Sequence, residues 1–169
     1  LNTCVQDCAD VWGGYSVIDC VSGACAVDVE NVELWGQCYN IEETTELVIT
    51  HQTVDNNPLT GEMPVEIGKL VNLTTLVLHG TGDNHLTGKI PSEIGKLVNL
   101  TTLDLTLNLF TKLPSEIGNL INLSIFILDR SYVTELPPGI GDLVNLQALD
   151  LDGSRLISLP SEIANLVNL

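Results

Sequence analysis

Apolar residues recur along this chain in two interleaved patterns. The first reads LxxLxL, at Leu73, Leu76 and Leu78, at Leu100, Leu103 and Leu105, at Leu123, Phe126 and Leu128, and at Leu146, Leu149 and Leu151. The last two of each set stand two apart, which is the spacing of side chains on one face of a strand. The second is a phrase that returns almost unchanged: PVEIGKLVNL from Pro64, PSEIGKLVNL from Pro91, PSEIGNLINL from Pro114, PPGIGDLVNL from Pro137 and PSEIANLVNL from Pro160. Inside it, Ile94 and Leu97 are three apart, the spacing of a helical or 3₁₀ turn, with Pro91 at its entry.

The phrases start 27, 23, 23 and 23 residues apart. A fixed period of this length predicts units that bury their apolar faces on one another. Each unit offers one short strand, so stacking yields a parallel sheet. The phrase carries glycine at Gly68, Gly95, Gly118 and Gly141, but Ala164 stands in the same place in the last unit. That exchange predicts close packing in an ordinary backbone conformation, because alanine would not replace glycine where φ is positive.

These residues resemble the leucine-rich repeat family from about Ile41 to Leu169. LTTLDLTLNLF, from Leu100 to Phe110, matches the family consensus LxxLxLxxNxL. LTGEMPVEIGKL and LTGKIPSEIGKL resemble its plant-type subclass, and the 23-residue LPSEIGNL units resemble the shorter type of bacterial and intracellular proteins, so the chain reads as a hybrid. The resemblance implies an α/β solenoid, with a short parallel β-sheet on the concave face and helical or 3₁₀ turns on the convex side. It also implies a buried asparagine in the turn after the strand, here Asn108. Ser131 and Ser154 replace it later, and their hydroxyls are expected to do the same work at shorter reach. Insertions after the strand, in THQTVDNNPL and HGTGDNHL, lengthen the early units and map to one rim.

Two regions follow. Residues 1–40 form a cysteine-containing N-terminal segment and cap, and residues 41–169 form about five repeats. SEIANLVNL stops inside a phrase that elsewhere continues, so C-terminal truncation is expected. All five cysteines, Cys4, Cys8, Cys20, Cys25 and Cys38, lie in the first region. Their clustering predicts disulfides and an oxidising, extracellular or cell-surface location, and an odd count leaves one thiol over. Zinc is disfavoured, since no paired CxxC motifs accompany them. ELWGQCYNIEETTELVIT, from Glu33, resembles the end of the plant-type N-terminal cap. The resemblance implies that Trp35 covers the first layer of leucines and that Cys38 pairs, with Cys25 the first choice. DCADVWGGYSVIDC, from Asp7, resembles short Asp/Cys/Gly repeats of secreted marine bacterial proteins. Asp7, Asp10 and Asp19 could offer oxygens to Ca²⁺, but no DxDxDG loop is present and no metal site is assigned.

Charge narrows the partners. With 22 acidic and 6 basic residues the net charge is -16, and the first lysine is Lys69. Such a field repels phosphate backbones and anionic lipid, which disfavours nucleic acid and membrane-surface partners; no nucleic acid and no membrane insertion are assigned. No apolar run reaches the ~20 residues of a membrane helix. At 44% hydrophobic but only 4% aromatic content, the core is expected to be aliphatic.

Chemistry is sparse. The histidines His51, His79 and His85 lie in or beside the lengthened units, without GxSxG or HExxH, so no catalytic residue and no cofactor is assigned. Sequons occur at Asn72, Asn99 and Asn122, but Asn145 and Asn168 hold the same place without one. The asparagine is therefore expected to be structural.

Residues between and after the strand leucines face away from the core. One column runs Val48, Val77, Asp104, Ile127 and Asp150, and the next runs Thr50, His79, Thr106, Asp129 and Asp152, with Leu107, Arg130, Tyr132 and Arg155 nearby. They vary where the return phrase does not. Val77 and Ile127 beside Asp129, Arg130 and Tyr132 are expected to form a mixed apolar and charged patch. The sequence thus points to a module that binds a protein or glycan ligand through its concave sheet. The alternative is a structural or adhesive spacer of a large surface protein, Ca²⁺-stiffened at its N-terminus.

Overall fold

The structure, a computed structural model, describes residues 31–50, 59–82 and 84–169. The alternating leucines form β3 (Glu46–Ile49), β5 (Thr75–Leu78), β7 (Thr102–Asp104), β9 (Ile125–Ile127) and β10 (Ala148–Asp150), which pair in parallel in that order. Leu47, Leu76, Leu103, Phe126 and Leu149 are register partners from strand to strand. The first four are buried and Leu149, on the last strand, is partly so. Each buried leucine is worth about 1.5–3 kcal/mol, so the stack is held mainly by such layers.

The return phrases form five 3₁₀ turns: η1 (Val65–Lys69), η2 (Ser92–Lys96), η3 (Ser115–Asn119), η4 (Pro138–Asp142) and η5 (Ser161–Asn165), each preceded by a proline in extended conformation. Each packs on the next. Their glycines have ordinary φ values, and the constraint on them is space. A Cβ at Gly68 would lie 2.7 Å from Glu93 Cβ, one at Gly95 2.6 Å from the Glu116 carbonyl oxygen, one at Gly118 2.6 Å from the Gly139 oxygen and one at Gly141 2.5 Å from the Glu162 oxygen. Close packing of the following unit is therefore the reason for the glycine. Ala164 is exposed.

A second parallel sheet was not anticipated. It consists of β4 (Gly61–Glu62), β6 (Leu86–Lys89) and β8 (Leu109–Lys112). The Thr87 hydroxyl donates to the Gly61 carbonyl at 3.1 Å and the Thr111 hydroxyl to the Gly88 carbonyl at 3.0 Å. Gly61 and Gly88 take φ of 74° and 75°, which glycine adopts without penalty. The sheet ends where the repeat type changes. Between buried Leu86 and Ile90 the chain has Thr-Gly-Lys, but between buried Phe110 and Leu113 it has Thr-Lys, so the glycine has been lost. The register shifts at Gly88/Lys89 to absorb the difference. Beyond β8 only single bonds continue, such as Tyr132 N–H to Phe110 carbonyl at 2.8 Å.

Two side-chain ladders clasp successive units. The amides of Asn72, Asn99, Asn122, Asn145 and Asn168 each donate to a carbonyl of the preceding unit, at Glu42, Val71, Val98, Ile121 and Val144, over 2.7–3.0 Å. The hydroxyls of Thr74, Thr101 and Ser124 donate to the carbonyls of Thr45, Thr74 and Thr101. Both polar residues of each sequon thus have a structural task, and Asn145 and Asn168 perform it without a sequon.

At the N-terminal side, β1 (Asn31–Leu34) and β2 (Gln37–Asn40) form an antiparallel hairpin. Its turn residues, Trp35 and Gly36, have φ of 50° and 77°, the signs a tight hairpin turn requires. Trp35 is partly buried against the core, and Val32 and Leu34, each 1% exposed, are buried more completely. Cys38 is disulfide-bonded. Cys4, Cys8, Cys20 and Cys25 lie outside the described residues, as do the pairing with Cys25 and the carboxylates Asp7, Asp10 and Asp19.

Candidate binding surface

The five-stranded sheet places the variable residues in rows. Val48, Val77, Asp104, Ile127 and Asp150 are register partners, so that column is a continuous line across the sheet. Strands in a sheet lie about 4.8 Å apart, which makes the line roughly 19 Å long, the reach of about six residues of extended chain. A further column, Glu46, Thr75, Thr102, Ile125 and Ala148, also faces outward and was missed. Extending the alternation one residue before each first strand leucine would have found it.

The turn after the strand fixes the second expected column. Leu107, Arg130 and Gly153, 23 residues apart, share a left-handed conformation with φ of 61°, 55° and 63°. Only the last is glycine, so Leu107 and Arg130 hold it at a cost of about 1 kcal/mol each. Beside them, buried Asn108 meets four backbone groups. It donates to the carbonyls of Leu78 (2.7 Å), Leu105 (3.0 Å) and Thr106 (3.3 Å), and accepts from Leu86 N–H (2.9 Å). The expectation that Ser131 would do the same fails. It is fully buried, yet its hydroxyl has no hydrogen-bond partner, because a side chain with one polar atom on Cβ cannot span the gap that an amide spans.

His79 Nε2 lies 2.9 Å from Asp104 Oδ2, and Asp104 Oδ1 accepts from the Thr106 hydroxyl at 2.6 Å and the Thr106 N–H at 3.0 Å. These three expected ligand residues therefore bind one another. The Thr106 hydroxyl is thus given to the carboxylate that also faces the imidazole. His85 Nδ1 lies 2.7 Å from the Leu107 carbonyl oxygen, and His51 is outside the described residues.

Toward the last strands the surface is less self-contained. Asp129 Oδ2 lies 3.7 Å from Arg130 Nε, and its buried Oδ1 has no hydrogen-bond partner. The Arg155 guanidinium stacks 3.8 Å above the Tyr132 ring, a cation–π contact. Asp150 Oδ1 accepts from Asp152 N–H at 2.9 Å. The apolar part of the expected patch is corrected. Val77 and Ile127 are only half-exposed, and Asp104 on β7 separates them. The exposed large apolar side chains of the sheet are Val48 at 40% and Ile125 at 37%. Ile125 sits on the same strand as Ile127, so the apolar centre is on β9. Among the described residues no group of three or more His, Cys, Asp or Glu is placed to hold a metal, and no helix is long and apolar enough to cross a membrane.

The Leucine Rich Repeat family profile matches residues 72–97, 99–120 and 145–166. No curated protein matches the chain. Among solved structures, a leucine-rich-repeat protein of Leptospira interrogans is 38% identical with a TM-score of 0.61, over 68% of this chain and 28% of that one. The ectodomain of the Arabidopsis thaliana receptor kinase GASSHO1/SCHENGEN3, solved in complex with Casparian strip integrity factor 2, is 35% identical with a TM-score of 0.65, over 73% of this chain and 14% of that one. The plant peptide hormone receptor RGFR1, solved with RGF2, is 42% identical with a TM-score of 0.57, over 65% and 18%. The parallel strands, the 3₁₀ turns and these matches agree: the chain belongs to the leucine-rich-repeat family. It spans between a seventh and about a quarter of the length of these relatives.

Proposed function

We propose that this chain is an extracellular protein-binding module whose concave sheet receives an extended peptide segment. One observation carries the reading. A backbone scaffold repeated in register presents outward columns that do not repeat, and residues suited to binding gather on β9 and β10 and in the turns that follow them. Ile125 and Ile127 supply apolar contact, Asp129 and Asp150 supply acceptors, and the Tyr132–Arg155 stack supplies a rigid amphipathic edge, the mix that recognition surfaces use. Two of the related structures are receptors solved with peptide or protein ligands, which supports a protein ligand over a glycan at this face. The Cys38 disulfide supports an oxidising, extracellular setting.

The test is a selection of displayed random twelve-residue peptides on the intact protein. Selected peptides should lose at least tenfold in affinity to Ile127→Glu or to Asp129→Ala with Tyr132→Ala, and should keep their affinity for Val98→Glu on the opposite side. Equal loss in the Val98 variant, or none in the sheet variants, sinks the reading. The spacer alternative predicts that no sequence is enriched on the sheet.

A further inference from the structure

Away from the concave sheet, a groove of about 550 Å³ runs along the ends of β6 and β8, from Ser92 at the start of η2 past the start of η3 to Pro138 of η4. Its volume lies within the range of sites for small ligands. Three features set it apart from other junctions of the stack.

First, the residue before each apolar position that leads into the return proline runs Glu62, Lys89, Lys112, Glu135 and Ser158 along the stack. Lys89 and Lys112 are register partners on β6 and β8, and both line the groove. Paired like charges facing each other across strands are unfavourable, and these are two of only six cations in a chain of net charge -16. Lys112 Nζ lies 3.9 Å from Glu135 Oε1, but both side chains are about two-thirds exposed or more, so that pair contributes little. Second, the unit that closes the groove carries Pro138-Gly139 where the others carry Val-Glu or Ser-Glu. One carboxylate is thereby removed and a flat apolar wall is added, continuous with Pro137 and Leu136. Third, the groove lies where the second sheet stops. One glycine is lost at that point, where Thr87-Gly88-Lys89 gives way to Thr111-Lys112.

We propose that this groove binds a sugar acid: a hydroxylated ring bearing a single carboxylate. Strands about 4.8 Å apart let both ammonium groups reach one carboxylate. Glu116 and Glu135 remain in the lining, and they would repel an acidic peptide but accept hydrogen bonds from ring hydroxyls. Proline and leucine offer an apolar surface to the C–H face of a ring. The overall charge works against polyanions at long range, which leaves a unit with one charge as the ligand the site tolerates.

The test is a titration of the isotope-labelled full chain with sodium glucuronate, followed by backbone amide shifts. The expected result is saturable shifts confined to Lys112, Leu113, Ser115, Glu135, Leu136 and Gly139 or their immediate neighbours, with Kd on the order of millimolar, as befits a small charged ligand in an open site. Glucose should give no saturable shift at equal concentration. Lys89→Gln with Lys112→Gln should weaken binding at least fivefold, and Lys69→Gln with Lys96→Gln, which changes net charge equally, should not. Equal shifts with glucose, equal weakening by the control pair, shifts on the concave sheet instead, or tighter binding of N-acetylglutamate would each overturn the proposal.

Discussion

Asn108 and Ser131 occupy the same place in successive units, and their difference makes the clearest wager at the scale of single residues. Removing the amide in Asn108→Ala leaves buried backbone groups of Leu78, Leu86 and Leu105 without their partner, a loss of about 2–4 kcal/mol. Ser131→Asn restores the missing span and is expected to raise stability by about 1 kcal/mol, read as a higher midpoint in urea at unchanged slope. A fall on that substitution would mean that the site has no room for an amide. The glycines make a second wager. Gly118→Ala drives a Cβ against the Gly139 carbonyl and should cost about 1–3 kcal/mol, but the reverse exchange Ala164→Gly, at an exposed position, should change stability by less than about 1 kcal/mol. Equal effects at both sites would deny the packing explanation.

At the scale of elements, sequence legibility followed periodicity. The five-stranded sheet and the return turns rest on spacings that repeat, so Leu76 and Leu103, or Ile94 and Leu97, could be placed without coordinates. The second sheet escaped because it depends on main-chain bonding by segments as short as Gly61–Glu62, with no alternation long enough to detect. The outward columns were partly legible, from residues flanking the strand leucines. The contacts within them, His79 to Asp104 or Arg155 over Tyr132, join residues 23 or more apart in sequence and are set by which unit lies beside which. The hairpin that seals the core makes its own prediction. Burial pushes the Tyr39 phenol from 10.0 up to about 12. A phenol whose folded pKa is raised contributes fully below pH 10, and its contribution declines as pH rises toward 12, because the unfolded chain then gives up its proton first. Between those limits the wild type should lose up to roughly 2 kcal/mol relative to Tyr39→Phe, counted from whatever gap the lost bond from the Tyr39 hydroxyl to Gln37 Oε1 (2.8 Å) sets at pH 7. Parallel melting curves of the two proteins at pH 9 and pH 11.5 would reveal whether the gap opens.

For the whole molecule, the arrangement separates what must stay constant from what is free to vary. Leucine layers, glycine contacts and asparagine clasps repeat because each junction must be packed alike. The sheet columns and the lysine-lined groove differ from unit to unit because their side chains face outward. The charge is equally uneven. Every lysine and arginine falls between Lys69 and Arg155, so the first 68 residues contribute only negative charge. An opposite-charged peptide approaching the sheet should therefore associate faster at low than at high salt, with the change seen chiefly in its on-rate.

The clasp at the edge of each unit also has a mechanical meaning. Because each unit is tied only to its neighbours, a pull along the chain loads one junction at a time instead of shearing the whole sheet. Once the outermost asparagine amide releases its carbonyl, a 23-residue unit should peel away by itself and lengthen the tether by roughly 75–80 Å before the next junction takes the load. Single-molecule extension should therefore trace a staircase of near-equal steps through the units that begin at Pro91, Pro114 and Pro137, so that the protein yields under tension as a ratchet of small releases.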